Sequence, residues 1–418
     1  MKKNHDLIVI GAGPAGIMAS LTAYKYNNKI KIALVESGHD IGRKLSITGG
    51  GRCNFTNNRP IEDFFDMVVR NKKFLYSSFY NFTNDDLKKF VRNIGLDYII
   101  EEDNDQKVYL KSGNVQNFID KLKNMLEVAN VDIYYGNRVE EAIIEDKLKT
   151  VFAGDYLLTS KYIIFACGGL SYPKTGSDGS ILGFLSGKGY RIIEPKPALV
   201  PIETKEDWNK KLAGISIKNT YVWTKNKKKI IRIFGDIIFT HKGLGGPAIL
   251  KLSSYINENP LNKEIFIDFL PHISKDELYQ NFLTNNKKTI AASLKEYLPN
   301  NLTKAIIEEI SKEYNRNLET ETSANLSKEL LLTLINKVKE STFIVKNIGD
   351  ISIATISAGG VSVKDINPSS MESKLHPGVF FAGELIDVDA LTGGYNLQIA
   401  FSTAYLAGVS VAKNLKKS

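Results

Sequence analysis

Four apolar residues, Leu7-Ile8-Val9-Ile10, run straight into Gly11-Ala12-Gly13-Pro14-Ala15-Gly16, and an acid, Glu36, follows the last of these glycines by twenty positions. A GxGxxG turn carries little information alone. Set after a strand, at the mouth of an apolar-periodic helix and before a second strand that ends in an acid, it specifies a βαβ unit opening a parallel, doubly wound sheet. The expected elements are a strand over 6–10, a helix over 14–26 and a strand over 31–36. Gly11 permits the tight turn, Gly13 lets backbone approach a pyrophosphate, Gly16 lets helix and sheet close together, and Pro14 and Ala15 complete the turn. The helix N-terminus offers partial positive charge to phosphates, and Glu36 accepts hydrogen bonds from ribose hydroxyls while disfavouring a 2′-phosphate.

Composition narrows the class around this motif. The chain has 418 residues, 43% of them hydrophobic and 24% charged, so it can bury a sizeable core in more than one domain. Lysine and arginine exceed acidic residues by 55 to 46, for a net charge of +9, yet the acids are interspersed and form no basic tail or stripe. Nucleic acid is therefore not the expected partner. The cluster Lys225, Lys227, Lys228, Lys229 sits between two strand-like runs and reads as a solvated hairpin tip. Two cysteines, Cys53 and Cys167, exclude a disulfide framework and argue against a cysteine zinc site; no metal is expected. The apolar run near the N-terminus is too short for a signal peptide, and no stretch approaches the roughly 20 apolar residues of a membrane span. A cytoplasmic enzyme is the expectation.

Helical patterns over 60–95 and 114–130 precede short strands near 131–135 and 139–144, and a strand ends at Gly168. From Glu194 the pattern turns β-rich to about Asp268, 274–340 look helical, short apolar strands return after Ile344, and the last helix begins near Tyr395. The expected organisation is an α/β, Rossmann-type domain built from 1–190 and 346–418. An inserted substrate domain, 191–345, would comprise a β-subdomain (191–270) and a helical cap (271–340).

A second glycine-rich loop, 42–57, reads GRKLSITGGGRCNFTN. Its consecutive glycines, Gly50 and Gly51 among them, would bring backbone N–H groups against a flat ring or phosphate. Arg43, Lys44 and Arg52 supply charge, and Cys53 and Asn54 lead into side chains able to bond a heterocycle edge. With ACGGLSYPKTGSDG (166–179), FTHKGLGGPAIL (239–250) and the stretch MESKLHPGVFFAGELIDVDALTGGYNLQIAFSTAYLAG (371–408), this segment resembles the bacterial NAD(P)/FAD-dependent oxidoreductases, which include bile-acid-inducible enone reductases and aminoacetone oxidase-like members. The resemblance spans nearly the whole chain. It implies a glutathione-reductase-like FAD fold, and since no His or Cys sits where the sequence would indicate an attachment site, the FAD is expected to be non-covalent. Ala166 and Gly168 would lie beneath the phosphates, Gly383 and Glu384 by the ribityl chain, and Val139 would give a backbone contact to adenine. Gly394, Asn396 and Leu397 would stand at a helix N-terminus facing the flavin N1 and O2.

Only one dinucleotide fingerprint exists, so NAD(P)H, a candidate electron donor, would have to bind over the flavin ring. Cys53 and Cys167 lack dithiol spacing. His241, in the FTHKGLGGP stretch, is the candidate proton donor, against the alternative of a histidine holding a loop carbonyl; the other four histidines read as surface residues. The leading expectation is hydride transfer between flavin and a small organic substrate, by enone reduction or amine oxidation. An RNA-modifying flavoprotein and a non-catalytic flavin-binding regulator are the alternatives.

Overall fold

The computed structural model describes residues 1–226 and 229–417; Lys227 and Lys228 of the expected hairpin tip lie outside the described residues. The chain forms two compact units. One comprises Met1–Lys196 with the chain from Ile351 onward, the other Pro197–Asp350.

In the first unit five parallel strands pair in the order Val379–Phe381, Tyr162–Phe165, Leu7–Ile10, Ile32–Val35, Asp132–Tyr134. Strands Leu7–Ile10 and Ile32–Val35 are buried at every position, as continuous apolar runs should be in a parallel sheet covered on both faces. Helix Pro14–Tyr26 packs along the C-terminal helix Tyr395–Lys417. A Cβ at Gly408 would lie 2.6 Å from the Ala19 carbonyl oxygen, so a larger residue there would force the two helices apart. Strands Asn54–Asn57, Lys107–Leu110 and Tyr98–Glu101 make a small antiparallel sheet that carries the end of the 42–57 loop.

The 60–95 stretch is not uniformly helical. Helices Ile61–Met67, Tyr76–Asn81 and Asn84–Asn93 are interrupted by a strand, Val68–Arg70, that pairs with Asp389–Ala390. That partner is more than 300 positions away, so local periodicity could not report it. His5 also departs from its expected surface position: it is 9% exposed, with Nε2 bonded to Asp132 Oδ2 at 2.9 Å. His376 is half-buried, and its Nε2 bonds the Lys188 carbonyl at 2.9 Å.

The second unit is a closed six-stranded barrel. Its order is Ile202–Thr204, Gly243–Gly245, Lys229–Thr240, Ser216–Asn226, Glu264–Asp268, Ser341–Ile348, and the last strand pairs with the first. Closure removes the unpaired edges that an open antiparallel sheet exposes. The closing strand runs beyond residue 345, where sequence pattern alone would end this region, because its partners supply the ladder. Helices Lys275–Thr284, Ile290–Lys295, Asn300–Glu313 and Lys328–Lys339 lie between the last two barrel strands in sequence. Ser274 and Glu277 form a reciprocal capping box on the first, while Thr289 and Ser327 cap two others.

Candidate functional site

The glycine turn has the geometry its sequence requires. Gly11 has φ +99°, its N–H donates to the Val35 carbonyl at 2.8 Å, and a Cβ there would stand 2.5 Å from the Ala166 carbonyl oxygen. At Gly16 a Cβ would fall 1.8 Å from the Gly11 carbonyl oxygen, so only glycine lets this helix sit on this turn. The first helical bond runs from Ile17 N to Gly13 O at 3.0 Å, which leaves the Ala15 and Gly16 N–H groups without a helical acceptor. Pro14 takes the first helical position, where a missing N–H costs nothing.

Glu36, 8% exposed, directly follows the strand Ile32–Val35. Its Oε2 accepts from Ala12 N at 2.8 Å, and its Oε1 from Gly38 N at 2.7 Å and Ser37 Oγ at 3.2 Å. The carboxylate is thereby held at the mouth of the turn. Gly136 and Asn137 donate to the Gly38 and Glu36 carbonyls at 2.9 Å each, which brings the buried Val139 into the same neighbourhood. The Arg43 guanidinium lies beside Gly38 and donates to the Lys174 carbonyl at 2.6 Å.

The two chain segments of this unit meet at a half-buried polar cluster. Lys44 Nζ donates to Glu384 Oε2 at 2.6 Å and also to Ser171 Oγ. Glu384 Oε1 accepts from Ser171 Oγ at 3.0 Å, Ser357 N at 2.9 Å and Ser357 Oγ at 3.1 Å. Burial pushes the Glu384 carboxyl up, but the Lys44 ammonium and the surrounding donors outweigh it and hold the group below the usual carboxylate range. Close by in sequence, Asp389 receives both its oxygens' bonds from Arg70 Nη1 at 2.8 Å, yet burial still holds its carboxyl above the usual range. Sequence reading did not single out Ser171, Ser357, Arg70 or Asp389. The two serines border the ACGGL and AGGV runs; the Arg70–Asp389 pair leaves no local signal.

The remaining segments join through close backbone approaches. A Cβ on Gly383 would sit 2.9 Å from the Ala15 Cβ, and one on Gly394 would sit 2.3 Å from the Thr56 carbonyl oxygen. Asn57 Nδ2 donates to the Gly393 carbonyl at 3.2 Å. In the last helix the first bond is Gln398 N to Gly394 O at 3.1 Å, which leaves the N–H groups of Tyr395, Asn396 and Leu397 without helical acceptors.

Several expected side chains are engaged elsewhere. Arg52 pairs with Glu101 and lies 4.1 Å over the Tyr109 ring. Asn54 Nδ2 donates to the Thr56 and Val108 carbonyls at 2.9 and 3.0 Å, and the Asn396 side chain bonds Ala390 N and O at 2.9 and 2.7 Å. Each of these three side chains shapes its own loop. Gly168 has φ +75° and lies beside Ser177. Cys53 and Cys167 are free thiols, each pushed up to about 12 by burial, so neither is a ready thiolate. His241 lies in the other unit, on the exposed turn between strands Lys229–Thr240 and Gly243–Gly245, and makes no hydrogen bond among the described residues. A histidine holding a loop carbonyl is therefore not what stands there.

FAD fits the first unit's residues. A Cβ at Gly13 would meet nothing within 4 Å, so there is open space at the helix start that carries the free Ala15 and Gly16 N–H groups, and Gly50 and Gly51 likewise have no neighbour where a Cβ would stand. A family model described as the HI0933-like protein Rossmann domain matches residues 5–410. The chain belongs to the HI0933-like Rossmann family. Its relatives include the ribosomal RNA dihydrouridine synthase of Haemophilus influenzae, 29% identical over 420 aligned residues that cover 99% of this chain and all of that one. The 3-dehydro-bile acid delta(4,6)-reductase of Clostridium scindens is 26% identical, covering 97% of this chain and 98% of its own. Among solved structures, the 3-ketosteroid delta1-dehydrogenase of Sterolibacterium denitrificans aligns over 98% of this chain and all of its own, at a TM-score of 0.52 and 11% identity, which shows a shared fold. This HI0933-like protein is an FAD-dependent oxidoreductase. Among the described residues no helix is long and apolar enough to cross a membrane.

Proposed function

We propose that this protein holds FAD non-covalently in its first unit and reduces a carbon–carbon double bond conjugated to a carbonyl. One observation carries the reading. Two full-length relatives are named for unlike substrates, yet their names imply the same bond change. A 3-oxo steroid with unsaturation at positions 4 and 6 and an unreduced uracil ring, whose 5,6 bond is the one reduced to give dihydrouridine, both present a carbon–carbon double bond conjugated to a carbonyl. Reduced flavin would supply the hydride, and NAD(P)H is the proposed source of its electrons.

The chain's own residues would do the rest. The N–H groups of Ala15 and Gly16 would hold the pyrophosphate, Glu36 would bind the ribose, and the free N–H groups of Asn396 and Leu397 would favour negative charge on the flavin. Lys44 and Glu384 hold the two chain segments together and would border the ribityl chain. His241, exposed and unbonded, is the proposed proton donor to the carbon next to the carbonyl. The substrate is either a small enone, as the sequence pattern first suggests, or uridine in RNA. The second is favoured by the 29% relative named for ribosomal RNA and by the net charge of +9.

The test is anaerobic reduction of the FAD-loaded protein by NADH or NADPH, then single-turnover reoxidation by a 3-oxo-4-ene steroid or by unmodified ribosomal RNA. Product is read by mass spectrometry as the gain of two hydrogens. Reoxidation by a simple amine-derived imine, with neither enone nor RNA reacting, would overturn the reading.

A further inference from the structure

The barrel's long hairpin and the neighbouring strand Glu264–Asp268 carry a half-exposed aromatic surface that the flavin chemistry does not use. On strand Ser216–Asn226, Val222 and Thr224 point inward at 0% exposure, so the alternating Tyr221 and Trp223 point outward. Register places Phe234 opposite Tyr221, Arg232 opposite Trp223 and, on the other side, Phe266 opposite Trp223. The Arg232 guanidinium lies 4.0 Å from the Tyr221 ring centre and 5.8 Å from that of Trp223. Trp223 and Phe266 stack at 5.6 Å with 19° between their planes. Phe234 is 51% exposed and Ile230 65%. A sheet face of this kind, left to water, is a contact surface without its partner.

Charge identifies the occupant. Residues 197–270, which form five of the six barrel strands, hold twelve lysines and arginines against seven acids, whereas residues 271–350 hold eleven of each. On the described strands that carry the rings, Lys218, Lys225, Lys229 and Arg232 are exposed, and Glu264 is the one exposed acid among them. Of the seven acids, Asp268 is buried in an ion pair with Lys339 at 2.8 Å, and Asp236 accepts the Asn219 N–H at 3.0 Å. Exposed Lys218, Lys225 and Lys229 flank the rings. Rings and a guanidinium plane inside a cationic surround match single-stranded RNA, whose splayed bases stack on such planes while its phosphates meet the cations. A protein partner would need no such excess of cations.

We propose that the outer face formed by Tyr221, Trp223, Arg232, Phe234 and Phe266 binds single-stranded RNA by base stacking. The proposal rests on the RNA branch of the function above, but binding is measured apart from reduction, so each can fail alone.

The chain has two tryptophans, and the other, Trp208, is 7% exposed; Trp208→Phe in the full FAD-loaded protein leaves Trp223 as the reporter. Titration with a single-stranded ribosomal RNA fragment should quench Trp223 emission with the affinity seen by filter binding. Phe234→Ala should weaken binding about 5- to 100-fold, the range of one lost base stack. Arg232→Gln should weaken it and lower the slope of log affinity against log salt by about one. Flavin content and melting temperature should be unchanged in both variants, since both side chains are exposed. RNA retained with no change in Trp223 emission and no loss in Phe234→Ala would place the RNA elsewhere and overturn the proposal. So would the absence of RNA binding. A face that instead joins two copies would show as a change in sedimentation on Phe234→Ala with RNA affinity intact, and that also overturns it. RNA bound here by a protein that reduces only small enones would leave the surface assigned and remove RNA as the substrate.

Discussion

At the scale of single residues, two carboxylates have been given opposite kinds of company. Glu36 accepts backbone N–H groups and a neighbouring hydroxyl, with no ion pair among the described residues, so it remains a strong acceptor for a ribose. Glu36→Ala should weaken FAD binding by the worth of one charge-assisted hydrogen bond, about 1.5 to 3 kcal/mol, or roughly tenfold or more. Equilibrium dialysis against FAD measures this, and equal affinity in the variant would mean that the ribose goes elsewhere. Glu384 is paired instead with Lys44, and its folded-state carboxyl lies below the usual value of 4.5. The sign follows by linkage: its contribution to stability is fully present above 4.5 and is lost as pH falls through the lower folded value. Lys44→Met keeps the stem but removes the cation that opposes burial, so the carboxyl should move up and the acid loss of stability should begin at higher pH. Melting temperature measured across the acid range checks it; superimposable profiles would show that the serines alone hold Glu384. The pairing joins positions 340 apart, which is why motif reading found both residues but neither their bond nor Ser171 and Ser357.

Whole elements were legible where one segment's pattern decides its state. Helix Pro14–Tyr26 follows from a proline at the first position and an apolar series behind it, and strand Leu7–Ile10 from an uninterrupted apolar run. Strand Val68–Arg70 was not legible, since it exists by virtue of Asp389–Ala390, and the same holds for the far end of Ser341–Ile348 in the barrel. The C-terminal helix illustrates both cases. Its start was marked by Gly393-Gly394, but what those glycines accommodate, the backbone at Thr56, lies in another segment. Gly394 has φ +91° and no room for a Cβ, so Gly394→Ala should destabilise the fold by about 1 to 3 kcal/mol from backbone strain alone and reduce flavin retention as the helix start shifts. Gly187, helical and with open space around it, is the control: Gly187→Ala should be neutral or stabilising by about 0.5 to 1 kcal/mol. Urea unfolding of the two variants side by side tests the contrast, and equal effects would mean that neither strain nor the Thr56 contact matters.

At the scale of the molecule the two units differ in how the chain builds them. The flavin-binding unit draws its sheet and its packing from both ends: strand Val379–Phe381 pairs beside Tyr162–Phe165, and helix Pro14–Tyr26 rests on Tyr395–Lys417. The barrel unit, 197–350, is continuous and closes on itself, with Val222, Phe239, Leu244, Ile265, Ile267, Phe343 and Val345 at 0% exposure in its interior. From this asymmetry the fragments should behave differently. Residues 197–350 expressed alone should fold cooperatively, with a stability of about 5 to 15 kcal/mol and no bound flavin. Residues 1–196 alone should not, because an interior-facing side of the first helix and one edge of the sheet would be left against water. Circular dichroism melts and urea titration of each fragment, with FAD added to both, are the measurement. The barrel fragment melting without a transition would mean that its closed sheet needs the rest of the chain, and the insertion would then be a continuous part of one folding unit. A folded, flavin-binding 1–196 fragment would instead show that the C-terminal strand and helix are additions to a cofactor site already complete without Glu384 and the free N–H groups at Asn396 and Leu397.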